Sequence, residues 1–234
     1  MTRDGTQMRA ALSIVIPTLN AAGDLPGTLA CLMAGIEAGL VRELIVSDGG
    51  SSDATVAMAE DVGATVVTGA PGRGGQIARG VAASQGDWIM VLHGDTHLDA
   101  GWVAAVQGMI GAGDAQAGYF RLGFRARGLA ARLVAGWANL RARLFGLPYG
   151  DQGLVLSRRL YEAVGGMPDM PLMEDVAMAR ALRGALVALP VRAMTSAVRY
   201  QSEGWLRRGG RNLWTLARYL MGANPETLAR SYRR

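Results

Sequence analysis

Short runs of consecutive apolar residues alternate with stretches of helical periodicity through the first half of the chain. Residues 12–17 (LSIVIP), 43–47 (ELIVS), 64–68 (ATVVT) and 87–92 (DWIMVL) read as buried strands. Between them, residues 24–38 carry apolar side chains at Leu25, Leu29, Leu32, Met33 and Ile36, the spacing of one helix face. A second helix is expected up to Asp61, with Ser52 or Asp53 accepting from its first-turn amides. Shorter helices are expected over 77–84 and 101–110. Strands without polar alternation, each followed by a helix, predict an α/β fold: a mostly parallel central sheet flanked by helices. Ligands of such sheets lie beyond the carboxyl ends of the strands. Asn20, Asp48 and Asp95 each fall just past such an end and are expected on one edge.

The second half is more mixed. Strands are expected at 119–124, 153–157 and 185–190, and helices at 127–145, 158–164, 174–183 and 206–221. No linker, repeat or low-complexity segment divides the chain, so residues 1–234 read as one domain. In the last helix Trp205, Leu206, Leu213, Leu216, Leu220 and Met221 form an apolar stripe, with Arg207, Arg208, Arg211 and Arg218 nearby. Two readings are open: the stripe packs on the domain, the default for an amphipathic helix, or it makes peripheral contact with an anionic membrane.

Composition narrows the class. The chain has 234 residues, half of them apolar, enough for a full core. Its net charge of +5 conceals an asymmetry. Residues 1–120 hold 5 Arg against 12 acids, whereas residues 121–234 hold 19 Arg against 7 acids, and there is no Lys. No nucleic-acid-binding motif accompanies the arginines, so nucleic acid is not an expected partner. The longest apolar stretch, 128–147, is broken by Arg132, Arg141 and Arg143, which argues against a membrane span. Residues 1–11 show no secretory signal, and the single Cys31 excludes an internal disulfide; both fit a cytoplasmic location.

Three groups of acids, with Asp151 as a further one, carry the candidate chemistry. Asp48, in Asp48-Gly49-Gly50-Ser51-Ser52-Asp53, can accept from a base imide or a ribose hydroxyl, or can simply hold a strand-to-helix turn. Asp95, in His93-Gly94-Asp95, can hold a hard cation such as Mg²⁺ or Mn²⁺, or can cap the next segment. Glu174-Asp175 opens a helix, where acids are common because the helix dipole favours them, and Asp175 is a candidate general base. Asp151, in Gly150-Asp151-Gln152-Gly153, can orient an acceptor hydroxyl or occupy a turn. Residues 72–76 (GRGGQ) read as a flexible glycine-rich loop whose amides and Arg73 can touch phosphate, but they lack the ending of a P-loop. His93 and His97 have no partners for a zinc site.

Taken in order, SIVIPTLN, ELIVSDGGSSDAT, PGRGGQIARG, WIMVLHGDT, GDQG and GGMPDMPLMEDVAMARALR resemble the family 2 glycosyltransferases of the GT-A fold. The tail resembles a compact bacterial subgroup labelled arsenosugar-biosynthesis or radical-SAM-associated glycosyltransferases. The resemblance implies a Rossmann-like GT-A domain with a nucleotide-binding half at about 12–115, an acceptor half at about 116–200 and a C-terminal helical tail at about 201–234. It implies Pro17, Thr18, Asn20, Asp48, Arg73 and Gln76 at the nucleotide, and Asp95 on Mg²⁺ or Mn²⁺. Asp175 is then the base with Glu174 in support, and Asp151 and Gln152 lie near donor sugar or acceptor. The implied reaction is inverting transfer from a nucleoside-diphosphate sugar, UDP favoured, to a hydroxyl acceptor. Two departures stand out: His93 replaces the first acid of the DxD-like motif, and Ala21 follows Asn20 where many members carry Glu. A nucleotidyltransferase would want a cation in the loop after the first strand, where Thr18–Gly23 has none. A catalytically silent nucleotide-sugar-binding protein is the other alternative.

Overall fold

The computed structural model describes residues 10–232; most of the 1–11 segment considered above lies outside them. Among the described residues eight strands form one sheet, in the spatial order β3 (Thr65–Thr68), β2 (Val41–Asp48), β1 (Leu12–Thr18), β4 (Trp88–Val91), β7 (Leu154–Ser157), β6 (Ala117–Phe124), β8 (Leu186–Thr195) and β5 (Thr96–Leu98). The strands expected in the first half are present as β1 (Leu12–Thr18), β2 (Val41–Asp48), β3 (Thr65–Thr68) and β4 (Trp88–Val91), mutually parallel. Their side chains are apolar on both faces because helices cover both. On one face Ile14, Ile16 and Met90 pack against Leu25 and Leu32 of α1 (Leu25–Glu37) and Trp102 of α4 (Trp102–Ala112). On the other, Val15, Ile45 and Ile89 meet Ile77 and Val81 of α3 (Arg73–Ala83). Pro26 sits in the first turn of α1, where a missing N–H costs nothing.

The remaining strands are β5 (Thr96–Leu98), β6 (Ala117–Phe124), β7 (Leu154–Ser157) and β8 (Leu186–Thr195). β7 runs antiparallel between β4 and β6, while β6 and β8 are parallel. β8 extends past Pro190, the residue at which the sequence reading ended it. Pro190 has no N–H for the ladder, and the β6–β8 register shifts between Tyr119 and Arg121, opposite that part of β8. β5 has only three residues and no apolar run; it exists because it pairs with the far end of β8.

Two further differences concern the helices. α3 begins at Arg73, so the GRGGQ segment expected as a flexible loop is mostly the first turn of a helix. Its glycines serve close packing: a Cβ on Gly74 would run into the Pro168 carbonyl oxygen, and one on Gly75 would come within 2.7 Å of Asp169 Oδ1. α2 (Thr55–Asp61) starts later than expected, and Asp53 Oδ1 accepts from the Thr55 amide at 3.0 Å.

The chain then adds α5 (Leu129–Phe145), α6 (Arg158–Ala163), α7 (Glu174–Ala181), α8 (Val198–Glu203), α9 (Trp205–Leu220) and α10 (Pro225–Tyr232). Of the stripe read in α9, Leu216 is buried and Trp205 packs on Tyr200 and Phe124. Leu206, Leu213, Leu220 and Met221 face solvent, so only part of the stripe packs on the domain. No helix among the described residues is long and apolar enough to cross a membrane.

Candidate active site

The site is built on the carboxyl ends of β1, β2 and β4. Asp48, the last residue of β2, is almost fully buried, and every bond it makes lies within this corner of the fold. Its Oδ2 accepts from the amides of Gly50 (2.8 Å) and Ser51 (2.7 Å), and its Oδ1 from Thr18 Oγ1 (3.0 Å) and the Ser51 hydroxyl. Burial alone would raise its pKa, but these bonds outweigh it and hold the carboxyl below its ordinary value. The carboxylate therefore organises the loop from Gly49 to Asp53. The loop after β1 is latched to it: Asn20, at φ 50°, accepts from the Ser52 amide (2.9 Å), and its own amide donates to Ser51 Oγ (2.8 Å).

Gln76 ties the same corner from below. It is buried, and its Nε2 donates to the carbonyls of Thr18 (2.6 Å) and Ser47 (2.9 Å), while its Oε1 accepts from Gly72 (3.1 Å). The side chain expected along a nucleotide is thus spent on holding α3 against β1 and β2. Three residues earlier on α3, Arg73 reaches the other side of the site. Its guanidinium pairs with Glu174 Oε1 at 3.2 Å and also feels the charges of Asp175, Asp151 and Asp95.

Glu174 and Asp175 open α7, and their placement depends on Met173. That residue sits at φ 69°, ψ 18°, a left-handed conformation costly for a side-chain-bearing residue, and it is buried among Leu147, Val176 and Leu216. The turn sends Glu174 inward and Asp175 toward the cleft. Glu174 is 2% exposed; burial first, and the Asp175 charge second, raise its pKa to about 7 against the pull of Arg73. Asp175 is held at both oxygens: Oδ2 accepts from Gly150 N (2.8 Å) and Oδ1 from Val176 N (2.8 Å).

Gly150 is the hinge between this acid and the β4 end. A Cβ there would meet His93 Nε2 at 2.6 Å, His93 Cε1 at 2.9 Å and Asp175 Oδ2 at 3.6 Å, so the imidazole edge occupies the space only glycine leaves. Burial, with the charges of Arg73 and Arg199 added, pushes His93 well below its ordinary pKa and keeps it neutral. Next in the chain, Asp151 is raised to about 6 by burial, with Asp175 and Asp95 pushing the same way and Arg141 and Arg73 opposing. Arg141 is itself buried, bonds the Leu147 carbonyl through Nε (3.0 Å) and lies 3.4 Å over the Tyr149 ring. Gln152 is completely buried: Nε2 donates to Phe120 O (3.1 Å) and Oε1 accepts from Tyr149 N (3.2 Å). It shapes the Pro148–Gly153 turn from beneath rather than lining the cleft.

Asp95 differs from the other acids. The one side-chain bond to its carboxylate among the described residues is a long one from Thr96 Oγ1, 3.4 Å. No cluster of three metal-ligating side chains exists among the described residues. A carboxylate with so few protein partners fits a hard cation that takes the rest of its shell from other oxygen ligands and water. His97, by contrast, is held away by Arg125 at 2.9 Å, and Arg125 also pairs with Asp24. A small cavity of about 30 Å³ lies between Arg73, His93, Tyr149, Gly150, Glu174 and Asp175. It admits water but is too small for a sugar nucleotide.

The structure thus joins Thr18, Asn20, Asp48 and Gln76 in one hydrogen-bonded corner. It gathers Arg73, Asp95, Asp151, Glu174 and Asp175 in a second, mutually charged group, with α3 spanning both. Sequence reasoning missed Met173, Arg141, Tyr149 and Arg199. A left-handed methionine and a stacked buried arginine leave no mark on residue order, though the small Gly150 before Asp151 was a usable signal.

Fold and site together are an open α/β sheet with a latched strand-end loop and an acid-and-arginine cleft at its strand ends. The chain belongs to glycosyl transferase family 2, whose sequence model matches residues 13–143, more than half of its length. It is 36% identical over 92 residues to uncharacterized glycosyltransferases of Mycobacterium bovis and Mycobacterium tuberculosis, and the match spans 39% of this chain and 39% of each relative. Among solved structures it is similar to glucosyl-3-phosphoglycerate synthase from M. tuberculosis in complex with Mn²⁺, UDP and glucosyl-3-phosphoglycerate (TM-score 0.58, 23% identity, covering 80% of this chain and 72% of that one). The same enzyme with Mn²⁺ and UDP-glucose gives a TM-score of 0.56 at 25% identity, covering 76% and 68%. These similarities bear out the GT-A-like sheet expected from the sequence.

Proposed function

We propose that this family 2 glycosyltransferase moves a sugar, with inversion, from a nucleoside-diphosphate sugar to a hydroxyl acceptor, with Asp175 as general base. The observation that carries the reading is the Asp175 carboxylate, fixed by the Gly150 amide at 2.8 Å within a cleft that also holds Arg73, Asp95 and Asp151. The acceptor O–H gives its proton to Asp175 as its oxygen bonds the anomeric carbon from the face opposite the diphosphate. The bond from that carbon to the β-phosphate oxygen breaks, and the electron pair leaves with the diphosphate. A positioned base of this kind is worth about 10²–10⁴ in rate.

The other residues prepare that step. The Thr18–Asn20 and Asp48–Asp53 loops, latched together, form the nucleoside wall, with Pro17 at the end of β1 beside them; Asp48 acts through the loop it holds. Arg73 balances diphosphate charge, and its pairing with Glu174 fixes its direction. Asp151 lies toward the donor sugar or acceptor, supported from below by Gln152. Asp95 would hold Mg²⁺ or Mn²⁺, which supplies counter-charge for the departing diphosphate. UDP as the base-bearing carrier, and Mn²⁺, are supported by the complexes of the similar synthase. Membership of the arsenosugar or radical-SAM-associated subgroup is supported only by the tail sequence.

Thermal unfolding with UDP-glucose, with and without Mn²⁺, tests the donor side. Saturation at a hundred times Kd stabilises a protein by about 2.7 kcal/mol, a clear rise in Tm. Asp95→Ala should abolish the Mn²⁺-dependent part of that rise. An equal rise with EDTA and with Mn²⁺ in the unsubstituted chain would remove Asp95 from the metal role.

A further inference from the structure

Two helices of this chain are built inside out. α5 meets the body through small side chains: Ala131, Ala138 and Ala142 are buried, joined by Arg141. Its large apolar side chains point the other way. Leu129, Leu133, Trp137, Leu140 and Leu144 follow one another at spacings of four, four, three and four, which is one face of a helix, and they are 46–71% exposed. α9 repeats the inversion. Its inner face is largely polar around the buried Leu216: Arg208 and Thr215 are buried, Arg208 and Arg211 pair with Glu203, and Asn212 bonds Tyr200. Its outer face carries Leu206, Leu213 and Leu220 seven residues apart, with Trp214 and Met221 beside them, 46–89% exposed.

α5 and α9 are in contact with each other. Exposed apolar surface of this extent on a water-soluble face is costly, and such patches mark an interaction surface. The inner face of α9 is docked, through Leu216 and through its bonds to Glu203 and Tyr200, so the exposed outer face is no consequence of a helix that failed to dock. The chemistry of the surroundings names the occupant. Neither α5 nor α9 contains a single Asp or Glu, whereas Arg132 and Arg143 on α5 and Arg207 and Arg218 on α9 flank the apolar rows. Apolar rows holding tryptophan, on two helices whose charged residues are all arginine, suit the headgroup zone of an anionic bilayer: the leucines enter the acyl boundary and the guanidinium groups meet lipid phosphate.

We infer that the joint α5–α9 face seats this protein on the surface of an anionic membrane, lying on the bilayer rather than crossing it. The surface is larger than the C-terminal stripe alone, since α5 supplies half of it. It also stands apart from the donor side: none of its outward residues belongs to the cleft. α5 does run directly into the Pro148–Gly153 turn that carries Asp151.

The test is flotation of the full chain with vesicles of phosphatidylcholine alone and of equal parts phosphatidylcholine and phosphatidylglycerol. The chain should float with the anionic vesicles and not with the neutral ones. Leu133→Glu/Trp137→Glu on α5 and Leu213→Glu/Trp214→Glu on α9 should each release it. Arg132→Gln/Arg207→Gln, which alters no apolar side chain, should weaken partitioning by about fivefold for each arginine replaced. All these positions are exposed, and the Gln pair keeps the test decisive even if a Glu pair lowers the melting temperature. Three results overturn the inference: equal flotation on neutral and anionic vesicles, flotation unchanged by all three variants, or no flotation together with a stable dimer that the Glu variants split. The last would assign the face to a second copy of the chain.

Discussion

Glu174→Gln isolates the electrostatic cost stored beneath the cleft. The carboxyl of Glu174 is 2% exposed and has its pKa raised from 4.5 to about 7, chiefly by burial. The folded protein therefore holds a proton there over a range in which the unfolded chain has lost it. More protons bound in the native state mean that stability falls as pH rises, so the contribution is full below pH 4.5 and lost as pH passes about 7. At about 1.4 kcal/mol per pH unit, the shift corresponds to about 3 kcal/mol of stability lost across that window. Gln keeps the shape and cannot ionise, and Arg73, nearly half exposed, can turn to water when its partner is neutral. Urea unfolding of both proteins between pH 4.5 and 8 should show the variant no more stable at the acid end and ahead by about 3 kcal/mol at the alkaline end. Asp151, raised to about 6, adds its own decline to both curves, so only their difference reports the Glu174–Asp175 pair. Parallel curves for the two proteins would refute the assignment of a raised, burial-driven pKa to this site.

Other perturbations read the scaffold. Gly150→Ala should lower kcat by at least tenfold and destabilise by about 1–3 kcal/mol, because its Cβ lands on His93 and tilts the amide away from Asp175; stopped-assay kinetics and thermal unfolding check both. Gln76→Leu strands the buried carbonyls of Thr18 and Ser47 and should cost about 1–3 kcal/mol in denaturant unfolding while weakening UDP binding, both measurable on one preparation. Met173→Gly relieves a left-handed backbone yet loses a buried side chain. With the fold intact, donor Kd should hold while kcat falls as the α7 start loosens; unchanged kcat would detach Met173 from the placement of Asp175.

The parallel part of the sheet was legible because its strands are unbroken apolar runs between helices, a pattern few other folds produce. Strand-end logic also grouped Asn20 and Asp48 correctly, and the loops carrying them are latched by direct hydrogen bonds. The segment 72–76 misled because glycine signals flexibility and close approach alike, and only the Pro168–Met170 segment pressing on α3 shows which applies. β5 was invisible, since its pairing with β8 is purely tertiary. Gln76 and Gln152 carry polar groups that suit ligand contact, but their donors are consumed by main-chain carbonyls distant in sequence, which residue order alone does not display. The apolar stripe of α9 was seen, yet its direction was not: periodicity defines a face without saying which way it points, and here the polar side found Glu203 and Tyr200 inside.

The central claim is that Asp175 takes the acceptor proton. Single-turnover transfer by Asp175→Asn, followed alongside UDP binding by titration calorimetry, tests it most directly. The account predicts transfer slowed by about 10²–10⁴ with the UDP affinity of the variant within a few-fold of wild type. Near-wild-type transfer with intact UDP binding would contradict it.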